Sequence, residues 1–107
     1  MVDCTDTRIT VDDVGFIVVL ADGERNRVCW ADIEEIRAFR IRLSSEDEIR
    51  IAVRIEPDYW IELSDRYTGF GQFMHQLQFR FPTVAGWQAA VQRPDMIRSG
   101  IVLYHRI

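Results

Sequence analysis

The chain has 107 residues, of which 48% are hydrophobic and 28% charged, with a formal charge of −4. At this length one domain with one packed core is expected, and the composition excludes general disorder. The negative charge argues against nucleic acid or an anionic membrane surface as the partner, and no apolar stretch reaches membrane-spanning length.

Residues 1–7 are polar and are expected to form a loose tail. Arg8 to Asp12 alternates, with Ile9 and Val11 on one side, and reads as a short strand. Asp12-Asp13-Val14-Gly15 is a turn signal. Phe16 to Leu20 is a continuous apolar run, the mark of a strand in mid-sheet or covered on both faces. Asp22-Gly23 supplies a hairpin turn, and Arg25 to Trp30 returns with Val28 and Trp30 inward. Trp30, Ile33 and Ile36 are three apart, which suits one helical turn with Asp32 as its cap.

Alternation then resumes. Phe39, Ile41 and Leu43 are read as facing the core, with Arg40 and Arg42 on the opposite side. Ser44 to Glu48 is an acidic turn. Ile49, Ile51, Val53 and Ile55 face in, and Arg50, Ala52 and Arg54 face out. After a break at Glu56-Pro57-Asp58, Tyr59, Ile61 and Leu63 face in while Trp60 and Glu62 face out. From Phe70 the period changes to that of a helix. Phe70, Phe73, Met74, Leu77 and Phe81 form one stripe, with Thr68 as the expected cap and Pro82 as the stop. A second helix capped by Thr83 carries Val84, Trp87 and Val91 and ends at Pro94. Ile101 to Tyr104 fits a last strand. The expected fold class is therefore α+β: an antiparallel sheet or roll of about six to seven strands with two C-terminal helices, all in a single domain.

The segment Phe16 to Leu20, Asp22-Gly23, then Val28, Trp30, Ile33 and Ile36 resembles the early strands of small bacterial domains with a pleckstrin-homology-like fold. The resemblance covers roughly residues 9–81. It implies an antiparallel roll closed by an amphipathic helix, and a module that binds lipids, peptides or proteins. The chain departs from that pattern after Pro82, where a second helix and a strand follow.

All 13 basic residues are arginine, so every cation is a planar donor fork that stays charged. Strand alternation assigns Arg40, Arg42, Arg50 and Arg54 to one outward surface, joined by Trp60 from the next strand. Cross-strand neighbours lie about 5 Å apart at Cβ, so these forks would converge on an acidic segment or phosphate-bearing ligand, with Trp60 stacked beneath. The competing reading is a solvated face whose arginines pair with Glu62, Glu56 or the acidic turn. An alternative surface is the acidic set Asp32, Glu34, Glu35, Glu46, Asp47 and Glu48. It would suit an immunity role, in which an antitoxin-like domain blocks a basic toxin.

No catalytic residue is assigned. The acid pairs fall on turns, where solvent keeps carboxylates ordinary. Cys29, flanked by Arg25 and Arg27, has no base or oxyanion partner in the sequence and reads as a structural thiol. Cys4 and Cys29 form no zinc spacing, and with His75 and His105 they offer no local metal site, so no metal or cofactor is expected. Residues 1–10 show no basic region ahead of a long apolar run, and the expected location is the reducing cytoplasm. A non-catalytic domain acting through protein contact is the leading reading, with Phe79 as a second anchor. A small ligand-binding protein or enzyme with a pocket between sheet and helices, using His75, Tyr104 or Tyr59, is the alternative. A homodimer through a sheet edge is a third.

Overall fold

The computed structural model describes residues 7–42, 46–57, 59–91 and 100–106, and for Arg42 the backbone only. The expected tail apart from Thr7, with Cys4, and the expected stop at Pro94 lie outside the described residues, as does Leu43. The fold is α+β. Seven strands, β1 (Arg8–Val11), β2 (Gly15–Val19), β3 (Arg25–Cys29), β4 (Glu35–Arg42), β5 (Asp47–Glu56), β6 (Tyr59–Ser64) and β7 (Ile101–His105), combine with two helices, α1 (Phe70–Arg80) and α2 (Trp87–Val91). The strands form two antiparallel sheets, ordered β1-β2-β3 and β6-β5-β4-β7. Among the described residues no helix is long and apolar enough to cross a membrane.

The turn chemistry explains the first sheet. Asp12 Oδ1 accepts hydrogen bonds from the amides of Val14 and Gly15, both at 2.9 Å, which closes the β1–β2 turn. Gly23 takes φ +92° in the β2–β3 hairpin, a conformation that side-chain-bearing residues avoid. β2 is the central strand, as its apolar run suggests, but it is covered on one face only. Phe16 and Val18 are buried, whereas Ile17 and Val19 are half-buried on the other side.

Trp30 opens a 3₁₀ turn (Trp30–Asp32), followed by Ile33 and Ile36, and all three large residues are buried. The expected cap at Asp32 is absent. Asp32 lies inside the turn, whose N-cap position is Cys29 with no side-chain bond. The Trp30 indole instead donates to the Asp12 carbonyl at 3.1 Å, tying this turn to the β1–β2 corner.

The core lies between the sheets and α1. Phe73 stands edge-on to Phe16 at 4.8 Å between ring centroids, and Phe70 edge-on to Trp87 at 5.9 Å. The helical stripe Phe70, Phe73, Met74 and Leu77 is buried as its spacing requires. Its start differs from expectation. Gly69, not Thr68, occupies the N-cap, at φ +91°. Thr68 is used in chain pairing instead: its carbonyl accepts from the Ile9 amide at 2.7 Å and its own amide donates to Thr7 at 3.1 Å. Beyond Phe81 a 3₁₀ turn (Pro82–Val84) contains Thr83, so Thr83 is not a cap, and α2 starts only at Trp87.

β4 has the opposite parity to the one expected. Ile36 and Ala38 are fully buried and Arg40 is 8% exposed, whereas Phe39 is only half-buried. Ile36, Ala38 and Arg40 stand opposite Val53, Ile51 and Ile49, the core-facing residues of β5. Successive side chains on a strand point to opposite faces, so Arg37, Phe39 and Ile41 lie on the outer face. The segment reads apolar at even positions in its first half and at odd positions in its second. Packing against Ile51 and Val53 decides in favour of the first half.

Candidate functional site

The expected surface of four arginines does not exist as such. Phe39 stands opposite Arg50 and Glu35 opposite Arg54, so these two arginines occupy the outer face of the larger sheet. Arg40 stands opposite Ile49 on the core side, at its rim, where its Nε lies 3.4 Å from Asp47. The backbone of Arg42 pairs with Asp47, and its side chain lies outside the described residues. A one-residue shift in parity therefore divides the set between two faces.

Arg50, Arg54 and Trp60 do come together, with a partner that sequence reading passed over. Trp60 stands opposite Arg54 in the β5–β6 pairing. The Arg54 guanidinium carbon is 5.9 Å from the Trp60 ring centroid, and that of Arg37 is 5.4 Å away. Two forks thus hold the indole, which keeps 39% of its surface exposed. Arg37 belongs to this group only because β4 has its observed parity. Val102 of β7 is beside Arg37 and is 50% exposed. Ala52, between Arg37 and Glu62 in one cross-strand row, is 6% exposed.

Carboxylates bind these arginines, as the competing reading anticipated for Glu62. Arg50 lies 2.6 Å from Glu48 and 3.0 Å from Glu62. Arg54 lies 3.5 Å from Glu34 and 3.4 Å from Glu35. Glu35 also pairs with Arg37 and lies 3.6 Å from His105 Nε2. Burial works to raise the Glu35 pKa, but the hydrogen bond from Arg37 and the charges of Arg37, Arg54 and His105 hold it below the ordinary carboxylate value. Burial alone would lower the Arg50 pKa, yet its hydrogen bonds to Glu48 and Glu62 raise it. These forks are committed internally. They stiffen the platform under Trp60 rather than wait for an anion.

The acidic set does not form one surface either. Asp32, Glu34 and Glu35 lie at the start of β4, while Glu46, Asp47 and Glu48 lie beside its far end. The two groups are separated by most of an eight-residue strand, about 24 Å at ~3.4 Å per residue. Glu35 and Glu48 are moreover 4% exposed and engaged by arginines, Glu48 at 3.6 Å from Arg66 as well as with Arg50.

The pocket candidates separate. His75 lines a groove of about 610 Å³ between α1 and α2, whose floor is Phe70, Met74 and Trp87 and whose rim includes Asp65. Tyr104 is elsewhere, packed on Phe81 at 4.5 Å, and Tyr59 borders a smaller recess with Ile55 and Ile61. Burial raises the Asp65 pKa above its ordinary value, and the charge of Glu48 pushes the same way against a hydrogen bond at Ile49. A raised folded-state pKa means that folding favours the protonated form. The resulting penalty is absent below the ordinary carboxylate pKa and grows as pH rises through the folded value. Asp65→Asn is therefore expected to stabilise the protein at neutral pH by a small amount, at most about 0.5 kcal/mol for so exposed a site, read as a rise in melting temperature. The gain should vanish near pH 3, and a pH-independent gain would contradict this origin.

Cys29 is a half-buried free thiol on β3. Among the described residues no three His, Cys, Asp or Glu side chains are placed to hold a metal ion. Phe79 is 77% exposed on α1, away from the buried stripe. Comparison with protein-family models, with curated proteins and with solved structures finds no match.

Proposed function

We propose that this chain is a non-catalytic binding domain acting through protein contact, and that the outer face of the β6-β5-β4-β7 sheet is its contact surface. The observation that carries this reading is Trp60, held by Arg37 and Arg54 and still 39% exposed. Tryptophan, tyrosine and arginine are enriched among the strong anchors of protein interfaces, and an aromatic ring such as that of Trp60 buries a large area. Val102, beside Arg37 and 50% exposed, extends the apolar area around the indole. Ion pairs already formed around it mean that binding orders few further side chains. The pleckstrin-homology-like resemblance is retained as part of this proposal, since two antiparallel sheets packed on an amphipathic helix are compatible with it.

A photo-activated cross-linking residue at Val102, introduced in the native host, tests the proposal against the same residue at Val14 of the β1–β2 turn. Val14 is 56% exposed and belongs to a turn of the other, three-stranded sheet. The expected result is a discrete heterologous protein adduct from position 102, absent from position 14 and reduced at least about tenfold by Trp60→Ala. Equal adducts at both positions, or an adduct of two copies of this chain alone, would count against it.

The α1–α2 groove supports a second reading, a small-ligand site. Its apolar floor with Asp65 and His75 at the rim has the make-up of such sites.

A further inference from the structure

The smaller sheet carries a second surface that the proposed function does not use. Antiparallel pairing aligns Arg8, Val19 and Arg25 in one row across β1, β2 and β3. The next row on that face is Thr10, Ile17 and Arg27. Val19 and Ile17 thus form an apolar strip along the central strand, half-exposed, with exposed arginines on both sides. All of these residues except Arg27 line a concavity of about 610 Å³.

The charge state of this surface sets it apart. Arg27 is paired with Asp12 at 3.2 Å. Arg37, Arg40, Arg50, Arg54 and Arg66 each pair with a carboxylate, Arg80 covers the Trp30 ring, and Arg106 donates to the Ala31 carbonyl. Among the arginines whose side chains are described, Arg8 and Arg25 alone have no ion pair, side-chain hydrogen bond or ring contact. They stand two strands apart, about 10 Å at the usual strand spacing. A helix is about 10–12 Å across with its side chains, so one lying along β2 would place an apolar ridge on Ile17 and Val19 and reach both forks from its flanks.

From this geometry we infer that the outer face of β1-β2-β3 is a docking site for an amphipathic helix of a partner protein, with an apolar ridge flanked on both sides by carboxylates. β2 is five residues long, about 17 Å, which corresponds to about eleven helical residues. Carboxylates on arginine forks form charge-assisted, bidentate bonds. A long polyanion or a lipid surface fits less well. Asp12 and Asp13 at one end of the strip, and Asp22 and Glu24 at the other, would repel phosphates extending beyond the two arginines.

The full chain should be titrated with a stapled helical peptide of about 15 residues bearing a leucine ridge and glutamate flanks, stapled because free helices of that length are marginal in water. The same peptide with glutamine flanks, and vesicles containing phosphatidylserine, are the comparison probes. Amide chemical shifts are expected to move at Arg8, Ile17, Val19 and Arg25, and the affinity to fall with salt. R8Q/R25Q should weaken the glutamate peptide at least about tenfold, and glutamine flanks should do the same to the wild type. Both arginines are exposed, so an unchanged melting temperature will confirm that the double variant is folded. No binding of the glutamate peptide, shifts on another face, an R8Q/R25Q affinity within about twofold of wild type, or equal binding to the vesicles would each overturn the inference. Trp60→Ala should leave this titration unchanged, which separates the outcome from that of the Trp60 proposal.

Discussion

Phe73→Ala is expected to destabilise the protein by about 3–5 kcal/mol, a large share of the roughly 5–15 kcal/mol typical of a whole domain. Phe73 is fully buried on α1 and joins three parts of the core. Its ring meets Phe16 of β2 at 4.8 Å, Phe70 of its own helix at 6.3 Å, and Trp30 of the 3₁₀ turn at 6.5 Å. Truncation removes the transfer free energy of the ring and leaves a cavity. Its walls belong to a paired sheet and a helix, which cannot readily collapse into it. Phe79→Ala, six residues along the same helix, should change stability by no more than about 0.5 kcal/mol because that ring is 77% exposed. Denaturant midpoints for the two variants check the pair. Similar midpoints would mean that α1 presents a different face to the sheets.

Gly69→Ala is the second large effect, expected to cost about 2–5 kcal/mol from two sources. At φ +91° an alanine would be strained by about 1–2 kcal/mol. In addition, a Cβ at this position would lie 2.2 Å from the Ile9 carbonyl oxygen, a backbone atom of β1 that cannot turn aside. The strand must shift or the helix start must open, and the bond between the Ile9 amide and Thr68 would suffer with either. Gly71, two residues later, supplies the control. Nothing lies within 4 Å of a Cβ there, and its φ is ordinary for a helix. Gly71→Ala should stabilise by about 0.5–1 kcal/mol through helix propensity and the restricted unfolded chain. Thermal melts of the two variants should move in opposite directions. A shared direction would refute the close approach of β1 to the start of α1.

The element order was legible because each element has its own strong local signal. Asp22-Gly23 marks a hairpin, Pro82 ends a helix, and the change from a period of two to one of three and four falls where the strands give way to α1. The buried stripe Phe70, Phe73, Met74 and Leu77 follows from that spacing alone. The helix start was less legible. Thr68 has the chemistry of a cap, but the approach of Ile9 calls for a glycine, and Thr68 is drawn into pairing with the N-terminal segment.

The candidate site was half legible. Arg50, Arg54 and Trp60 share a face as expected, since β5 and β6 alternate without ambiguity over Arg50 to Arg54 and Trp60 to Leu63. Arg40 does not join them. Arg37 takes its place, and no signal inside β4 distinguishes the two outcomes. The row Arg8, Val19, Arg25 could not be read at all, because it joins residues from three strands whose register depends on two turns.

Local chemistry sufficed for the kinds of elements, their order and most of the core, because backbone preferences and side-chain periodicity act over a few residues. Which side of β4 faces inward, which arginines find carboxylates and which stay open depended on packing between distant segments. A strand offers two faces of nearly equal apolar content here, and only Ile51 and Val53 across the ladder make one of them the interior.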